Sequence, residues 1–253
     1  MSRCDPDHLE GCHVVTGTGD QILLLGDSHA RMFIPLFEEL AHRLDLGMAA
    51  AVMPQCPWPQ GLRYASSGQE CAVAQRDWYG AVLESVAPDV VVLAHRAVDD
   101  LASPVMIVSD ETEWLAPGTD EFEDLLRARM TDTVMGLRER GVKVVIVEPV
   151  PITAREDDPV ECLSRESAVA PCRFVTDPSA LASEVIARRL AAEDPGVWTL
   201  DLDRAACPYL PICDPVVGGI VVRRDNTHLT TRFVRSLVDG LEEHLVEREI
   251  VAG

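Results

Sequence analysis

The chain has 253 residues, with 42 acidic against 22 basic side chains and a formal charge of −20. A composition 47% hydrophobic and 25% charged is that of a globular protein, and its charge opposes binding to phosphate backbones and anionic lipid head groups. There is no basic patch for nucleic acid, no apolar run near the ~20 residues that span a bilayer, and no signal-peptide core at the start.

In chain order the pattern alternates strand and helix. Ile22–Gly26 is a short apolar run of the buried parallel kind, and Ala30–Leu46 follows with Phe33, Leu36, Phe37, Leu40 and Leu44 at helical spacing. Met48–Met53 is the next strand, and a Pro-rich loop over Pro54–Cys71 leads to a helix around Ala74–Val86. Val90–Ala94 is apolar throughout, which predicts cover on both faces. Phe122, Leu126, Met130, Val134 and Leu137 mark an amphipathic helix that stops at Gly141, before a strand over Lys143–Val147. Thr153–Thr176 reads as loop, Ala180–Ala192 as helix, Val197–Leu202 as strand and Asp203–Gly219 as loop. A last helix carries Phe233, Leu237, Val238, Leu241 and Leu245. Five strands alternating with five helices predict a three-layer α/β/α fold with a five-stranded, mainly parallel sheet, built as one domain over residues 1–253.

The eight cysteines fall into four sequential couples, each in a Pro-, Gly- or charge-rich segment outside the predicted helices and strands. Pairing Cys4 with Cys12, Cys56 with Cys71, Cys162 with Cys172 and Cys207 with Cys213 would close loops worth roughly 2–3 kcal/mol each. The competing reading, zinc or free thiols, lacks the C-x2-C and H-x3-H spacings of a zinc knuckle, and no metal site is expected. Disulfides need an oxidising compartment. A disulfide-rich chain without an export signal is therefore expected to be a piece of a larger exported or membrane-anchored protein.

Ligands of open α/β sheets sit beyond the carboxyl ends of the strands. Two segments occupy such places. Gly26-Asp27-Ser28-His29 joins the first strand to the first helix, where a serine can stand beside outward-pointing N–H groups. By itself the tetrapeptide fits a plain helix cap at least as well. Asp225-Asn226-Thr227-His228 precedes the last helix; an Asp three residues before a His can hold its Nδ1–H and leave Nε2 as a base. Alone this segment reads as a surface turn. Together, if the topology brings them to one rim, Ser28, His228 and Asp225 supply nucleophile, base and orienting carboxylate.

With these segments in place the chain resembles the SGNH/GDSL hydrolase superfamily. It is most similar to the SGNH-like domain fused behind the membrane part of acyltransferase-3 proteins. The resemblance rests on Leu24–Ala30 (LLGDSHA), Cys56-Pro-Trp58, Pro88–Leu93, Cys207-Pro with Cys213, Gly218-Gly219 and Arg224–Thr230 (RDNTHLT). It implies a flavodoxin-like fold and an extracytoplasmic domain handling O-acyl groups, usually acetyl, on cell-envelope carbohydrate. Ser28 would be acylated, with His228 and Asp225 moving the proton, and no cofactor beyond an acyl donor from outside the domain. The implied partners are a membrane acyltransferase-3 domain in the same full-length protein and a glycan acceptor; the isolated domain is expected to be monomeric.

One departure stands out. The superfamily places an oxyanion-hole Asn after the third strand, where this chain reads Leu93-Ala-His95-Arg96-Ala97, and its only Asn is Asn226. His95 or Arg96 are the expected substitutes, with the Ser28 N–H and a backbone donor near Gln55–Cys56. The glycine expected after the second strand is also missing. Losing one oxyanion donor costs on the order of 10²–10³ in rate, so weak hydrolysis of soluble esters is expected. The missing Asn also keeps open a second reading, a non-catalytic glycan-docking module that presents the acceptor to a membrane domain. Trp58 is the candidate for stacking on a sugar, against the commoner reading that such a Trp packs under its loop; Trp114 and the Asp99–Glu113 loop could cover the site but read first as solvated, as do the charges Glu156–Asp158.

Overall fold

A computed structural model describes residues 4–101, 105–109, 114–153 and 158–252. The expected charges Glu156 and Asp157, and much of the acidic loop (102–104 and 110–113), lie outside the described residues.

The first elements are β1 (His13–Val15), β2 (Gln21–Gly26), α1 (Ser28–Leu44), β3 (Gly47–Val52), β4 (Arg63–Tyr64), α2 (Gly68–Asp77), α3 (Leu83–Val86) and β5 (Val90–Ala94). They are followed by β6 (Ile107–Val108), α4 (Asp120–Glu139), β7 (Lys143–Val147), α5 (Pro159–Arg165), β8 (Phe174–Val175), α6 (Ala182–Glu193), β9 (Val197–Leu200) and α7 (Asp203–Ala206). The chain ends with β10 (Ile212–Cys213), β11 (Val216–Val217), β12 (Ile220–Val221), α8 (Thr231–Arg235) and α9 (Val238–Glu247).

The central sheet has the order β1-β3-β2-β5-β7-β9. The five predicted strands are its parallel members. The sheet has six strands rather than five, because His13–Val15 adds antiparallel to the β3 edge. That strand is too short and too mixed in polarity to declare itself by alternation.

Alternation within β2 builds two cores. Ile22 and Leu24 face a layer containing Phe33, Phe37, Phe233 and Leu241 of α1, α8 and α9. Leu23 and Leu25 face Val82, Phe122, Met130 and Ile186 in the opposite layer. The apolar strand runs follow from burial on both faces. The helix predicted over Ala74–Val86 is broken at Gly80 (φ −105°, ψ −107°) by a π turn between α2 and α3.

All four sequential disulfides are formed, Cys4–Cys12, Cys56–Cys71, Cys162–Cys172 and Cys207–Cys213. Their placement differs from expectation: Cys71 lies in α2, Cys162 in α5 and Cys213 in β10. The segment read as loop thus carries a short helix, started by Asp158, whose carboxylate accepts the N–H groups of Val160 and Glu161.

Candidate active site

The first half of the site is the turn from β2 into α1. Gly26 sits at φ 140°, and a Cβ there would lie 1.8 Å from the carbonyl oxygen of Ala94 on β5. Only glycine permits this approach of two parallel strands at the rim. The next residue, Asp27, caps α1, its Oδ1 accepting the His29 N–H at 2.7 Å. Its Oδ2 accepts the Tyr64 hydroxyl at 2.8 Å and the Arg96 N–H at 3.0 Å. The carboxyl is 1% exposed, and burial, only partly offset by these donors, raises its pKa above the ordinary carboxylate value. Ser28 therefore opens the helix, with its N–H in the first turn, where no intrahelical acceptor exists.

The second half is a hairpin tip. Arg223 and Leu229 pair across its base, and the Arg224 N–H donates to the His228 carbonyl at 3.0 Å. Within the tip Asp225 Oδ1 accepts the N–H groups of Thr227 (2.9 Å) and His228 (2.7 Å) and the Thr227 hydroxyl (3.2 Å). Burial of Asp225 pushes its pKa up, but these donors and the adjacent imidazole outweigh it and hold the carboxyl below the usual value. An ionised carboxylate only accepts. The His228 Nδ1, 3.0 Å from both Asp225 oxygens, therefore carries the proton. That leaves Nε2 as a lone pair facing the Ser28 Oγ at 2.8 Å. The structure thus joins two segments 200 residues apart in one Ser28–His228–Asp225 chain of hydrogen bonds.

His29 lies under this chain. Its ring centroid is 4.7 Å from that of His228, tilted by 39°. Burial first, then the surrounding positive groups, hold its pKa well below the normal histidine value. A neutral ring in contact with His228 fixes the imidazole's position without competing for its proton.

These residues border an open cavity of about 570 Å³ whose wall includes Ser28, Gln55, Arg96, Met106, Trp114 and His228. Among the expected oxyanion donors the structure separates useful from unusable groups. Cys56 cannot serve, because its N–H donates to the Met53 carbonyl and its sulfur is tied to Cys71. His95 is 3% exposed, does not line the cavity and packs edge-on to Trp58; burial lowers its pKa to about 3. The Arg96 N–H is committed to Asp27, although the residue lines the cavity. Gln55 also lines the cavity and holds φ 62°, the left-handed conformation that glycine adopts without strain.

Trp58 is a correction. It is 0% exposed, inside the core cluster beneath its loop, and cannot stack on a sugar. Trp114, read first as solvated, stands on the cavity wall with 58% of its surface exposed. Sequence reasoning also missed Tyr64 and Thr227, whose roles as donors to Asp27 and Asp225 have no linear signature. Among the described residues no group of His, Cys, Asp and Glu is arranged to hold a metal ion, and no helix is long and apolar enough to cross a membrane.

Residues 3–243 match the family described as "SGNH domain (fused to AT3 domains)". Nothing among curated protein sequences matches the chain. Solved structures are similar in fold. The periplasmic domain of a lipopolysaccharide acetyltransferase from Salmonella ser. Paratyphi A has a TM-score of 0.61 at 15% identity, over 95% of this chain and 94% of that one. The acetyl xylan esterase AlAXEase has a TM-score of 0.54 at 16% identity, over 89% and 100%. A family two carbohydrate esterase from Clostridium thermocellum has a TM-score of 0.52 at 11% identity, over 90% of this chain and 63% of that one. The strand-end serine, the two-layered core on a mainly parallel sheet and a family match over nearly its whole length all agree: this chain belongs to the SGNH domains of the kind fused to AT3 domains.

Proposed function

We propose that this domain transfers O-acyl groups, acetyl foremost, through an acyl-Ser28 intermediate to hydroxyls of cell-envelope carbohydrate, and hydrolyses such esters weakly. The observation that carries the reading is the 2.8 Å contact between Ser28 Oγ and a His228 Nε2 whose other nitrogen is held by Asp225. The fold-level likeness to an acetyltransferase domain and to acetyl esterases supports acyl chemistry as the class.

In the first step Ser28 Oγ bonds to the acyl carbon of the donor while its proton passes to His228 Nε2. Asp225 stabilises the imidazolium. The oxygen that becomes negative faces the Ser28 N–H at the helix start, with Arg96 and Gln55 as the further donors within the cavity. Collapse breaks the bond to the donor's oxygen, which takes the proton from His228. An acceptor hydroxyl then gives its proton to Nε2 and attacks acyl-Ser28, and the serine leaves with that proton. Water in place of the sugar gives the esterase reaction. The route needs only these side chains and an acylated donor.

The donor in this reading is delivered by an AT3 membrane domain of the same full-length protein, on the outer side of the membrane. The disulfides, and the periplasmic origin of the acetyltransferase domain it resembles in fold, support that compartment. Incubation with a fluorophosphonate or an activated acetyl ester, followed by intact mass, tests the reading. One adduct on the wild type and none on Ser28→Ala is expected. Equal labelling of the two overturns it, and saturable glycan binding without any adduct would support the docking alternative.

A further inference from the structure

The cavity at Ser28 is lined by polar residues, Gln55, Ser66 and Arg96 among them, and by the apolar Val105, Met106 and Trp114. The apolar residues flank a small strand pair. β4 and β6 pair antiparallel, Arg63 with Val108 and Tyr64 with Ile107. Ile107 exchanges both backbone hydrogen bonds with Leu115, at 3.0 and 2.8 Å, and the Ala65 N–H donates to the Met106 carbonyl at 2.9 Å. This small sheet is anchored from below: Ile107 is 0% exposed, and Tyr64, 3% exposed, donates its hydroxyl to Asp27. Its upper edge leaves Trp114 58% and Met106 42% exposed beside the nucleophile. Two large apolar side chains exposed together at the cavity of Ser28 make a surface suited to a ligand.

We infer that Trp114, with Met106 beside it, is the platform on which the acceptor sugar ring rests, so that a hydroxyl on its far edge reaches acyl-Ser28. This inference rests on the acyl-serine reading and adds the residue that selects the acceptor. A pyranose offers an apolar C–H face and polar hydroxyl edges, which matches an indole together with the polar Gln55, Ser66 and Arg96 in the same cavity. Trp114 acts here by contact with substrate and takes no part in proton transfer.

The experiment compares wild type, Trp114→Ala and Trp114→Phe on three probes: mono-O-acetylated methyl glycosides, ethyl acetate and p-nitrophenyl octanoate. The expected result is a fall of about 3- to 10-fold in kcat/KM for the glycosyl acetates in Trp114→Ala, carried by KM. Ethyl acetate turnover and the rate of fluorophosphonate labelling of Ser28 stay within about 2-fold, and Trp114→Phe recovers most of the loss. An unchanged ratio of glycosyl acetate to ethyl acetate overturns the platform, as does a selective loss on the octanoate, which would assign these side chains to the acyl chain. Absent labelling of the wild type would instead sink the acyl-serine reading. In that event quenching of tryptophan fluorescence by the methyl glycosides, present in wild type and absent in Trp114→Ala, still decides the platform.

Discussion

The two segments that meet at Ser28 are held in opposite ways. The elbow Gly26–His29 is part of the core: Asp27 and His29 are 1% and 2% exposed, and three donors from β4, α1 and the end of β5 converge on one carboxyl. The tip Arg224–His228 is organised largely from within, with an outside tie to Thr153, whose N–H donates to the Asn226 carbonyl at 3.0 Å. The Asp225 carboxylate, 37% exposed, takes all the hydrogen bonds named for it from Thr227 and His228, two and three residues away. The serine is thus positioned by folding, and the histidine by a local turn. Substitutions in the elbow should cost stability and activity together, and those in the tip activity far more than stability.

The largest effects test this directly. His228→Ala should lower ester turnover by about 10⁴-fold or more, with a melting temperature unchanged within about 2 °C, since the ring, 17% exposed, bonds among the described residues only to Asp225 of its own turn, to Thr227 beside it and to Ser28. Asp27→Ala leaves three buried donors without an acceptor and should cost about 2–4 kcal/mol, a fall of about 5–15 °C in Tm. Thermal melts of the two variants side by side decide the matter. A large destabilisation by His228→Ala would erase the distinction between the segments.

The same distinction explains what the sequence can and cannot disclose. The five parallel strands are legible because burial on both faces forces continuous apolar runs such as Val90–Ala94. His13–Val15, an edge strand of three residues, has no room for a pattern. The tip was readable because its contacts are local: Asp225-x-x-His228 is itself the geometry. The elbow was readable only as a motif. That Asp27 ties Tyr64 and Arg96 to the helix start depends on strands far apart in the chain. Loop tryptophans carry no mark of burial, so the sequence leaves open that Trp58 lies buried and that the exposed Trp114 borders the cavity. Gln55 hides a left-handed backbone behind a residue type that rarely adopts it.

Acid titration sharpens the contrast, because the two carboxyls shift in opposite directions. Asp27 has its folded pKa raised by burial, so the fold takes up its proton at higher pH than the unfolded chain does. Its contribution favours the fold at pH values below the unfolded value near 3.8 and is lost as pH rises through the folded pKa. Asp225, with a lowered pKa, stabilises the fold above 3.8 and loses that contribution as pH falls through its folded value. The Tm gap between wild type and Asp225→Asn should therefore shrink on going from pH 7 to pH 3. The gap for Asp27→Asn should widen, because only the wild type gains on acidification. A change of about 1 kcal/mol corresponds to about 2–4 °C, within reach of melts at four or five pH values. Parallel slopes for the two variants would contradict the assigned environments.

The smallest effect concerns Thr227, whose side chain touches both members of the Asp225–His228 pair. Its hydroxyl lies 3.2 Å from Asp225 Oδ1 and 3.1 Å from His228 Nδ1, and the residue is 8% exposed. Thr227→Val keeps the shape and the backbone N–H that binds Asp225, and removes only the hydroxyl. A neutral hydrogen bond of this kind is worth about 0.5–1.5 kcal/mol, so kcat/KM should fall by about 2- to 10-fold, with Thr227→Ser restoring it. Because the other donors to Asp225, two backbone N–H groups and the His228 Nδ1–H, belong to the same turn, the carboxylate should keep its place and the melting temperature should hardly move. A loss of 10³-fold, or a fall in Tm approaching that of Asp27→Ala, would mean that the tip leans on buried contacts as heavily as the elbow does. The idea of a locally held histidine set against a core-held serine would then fail.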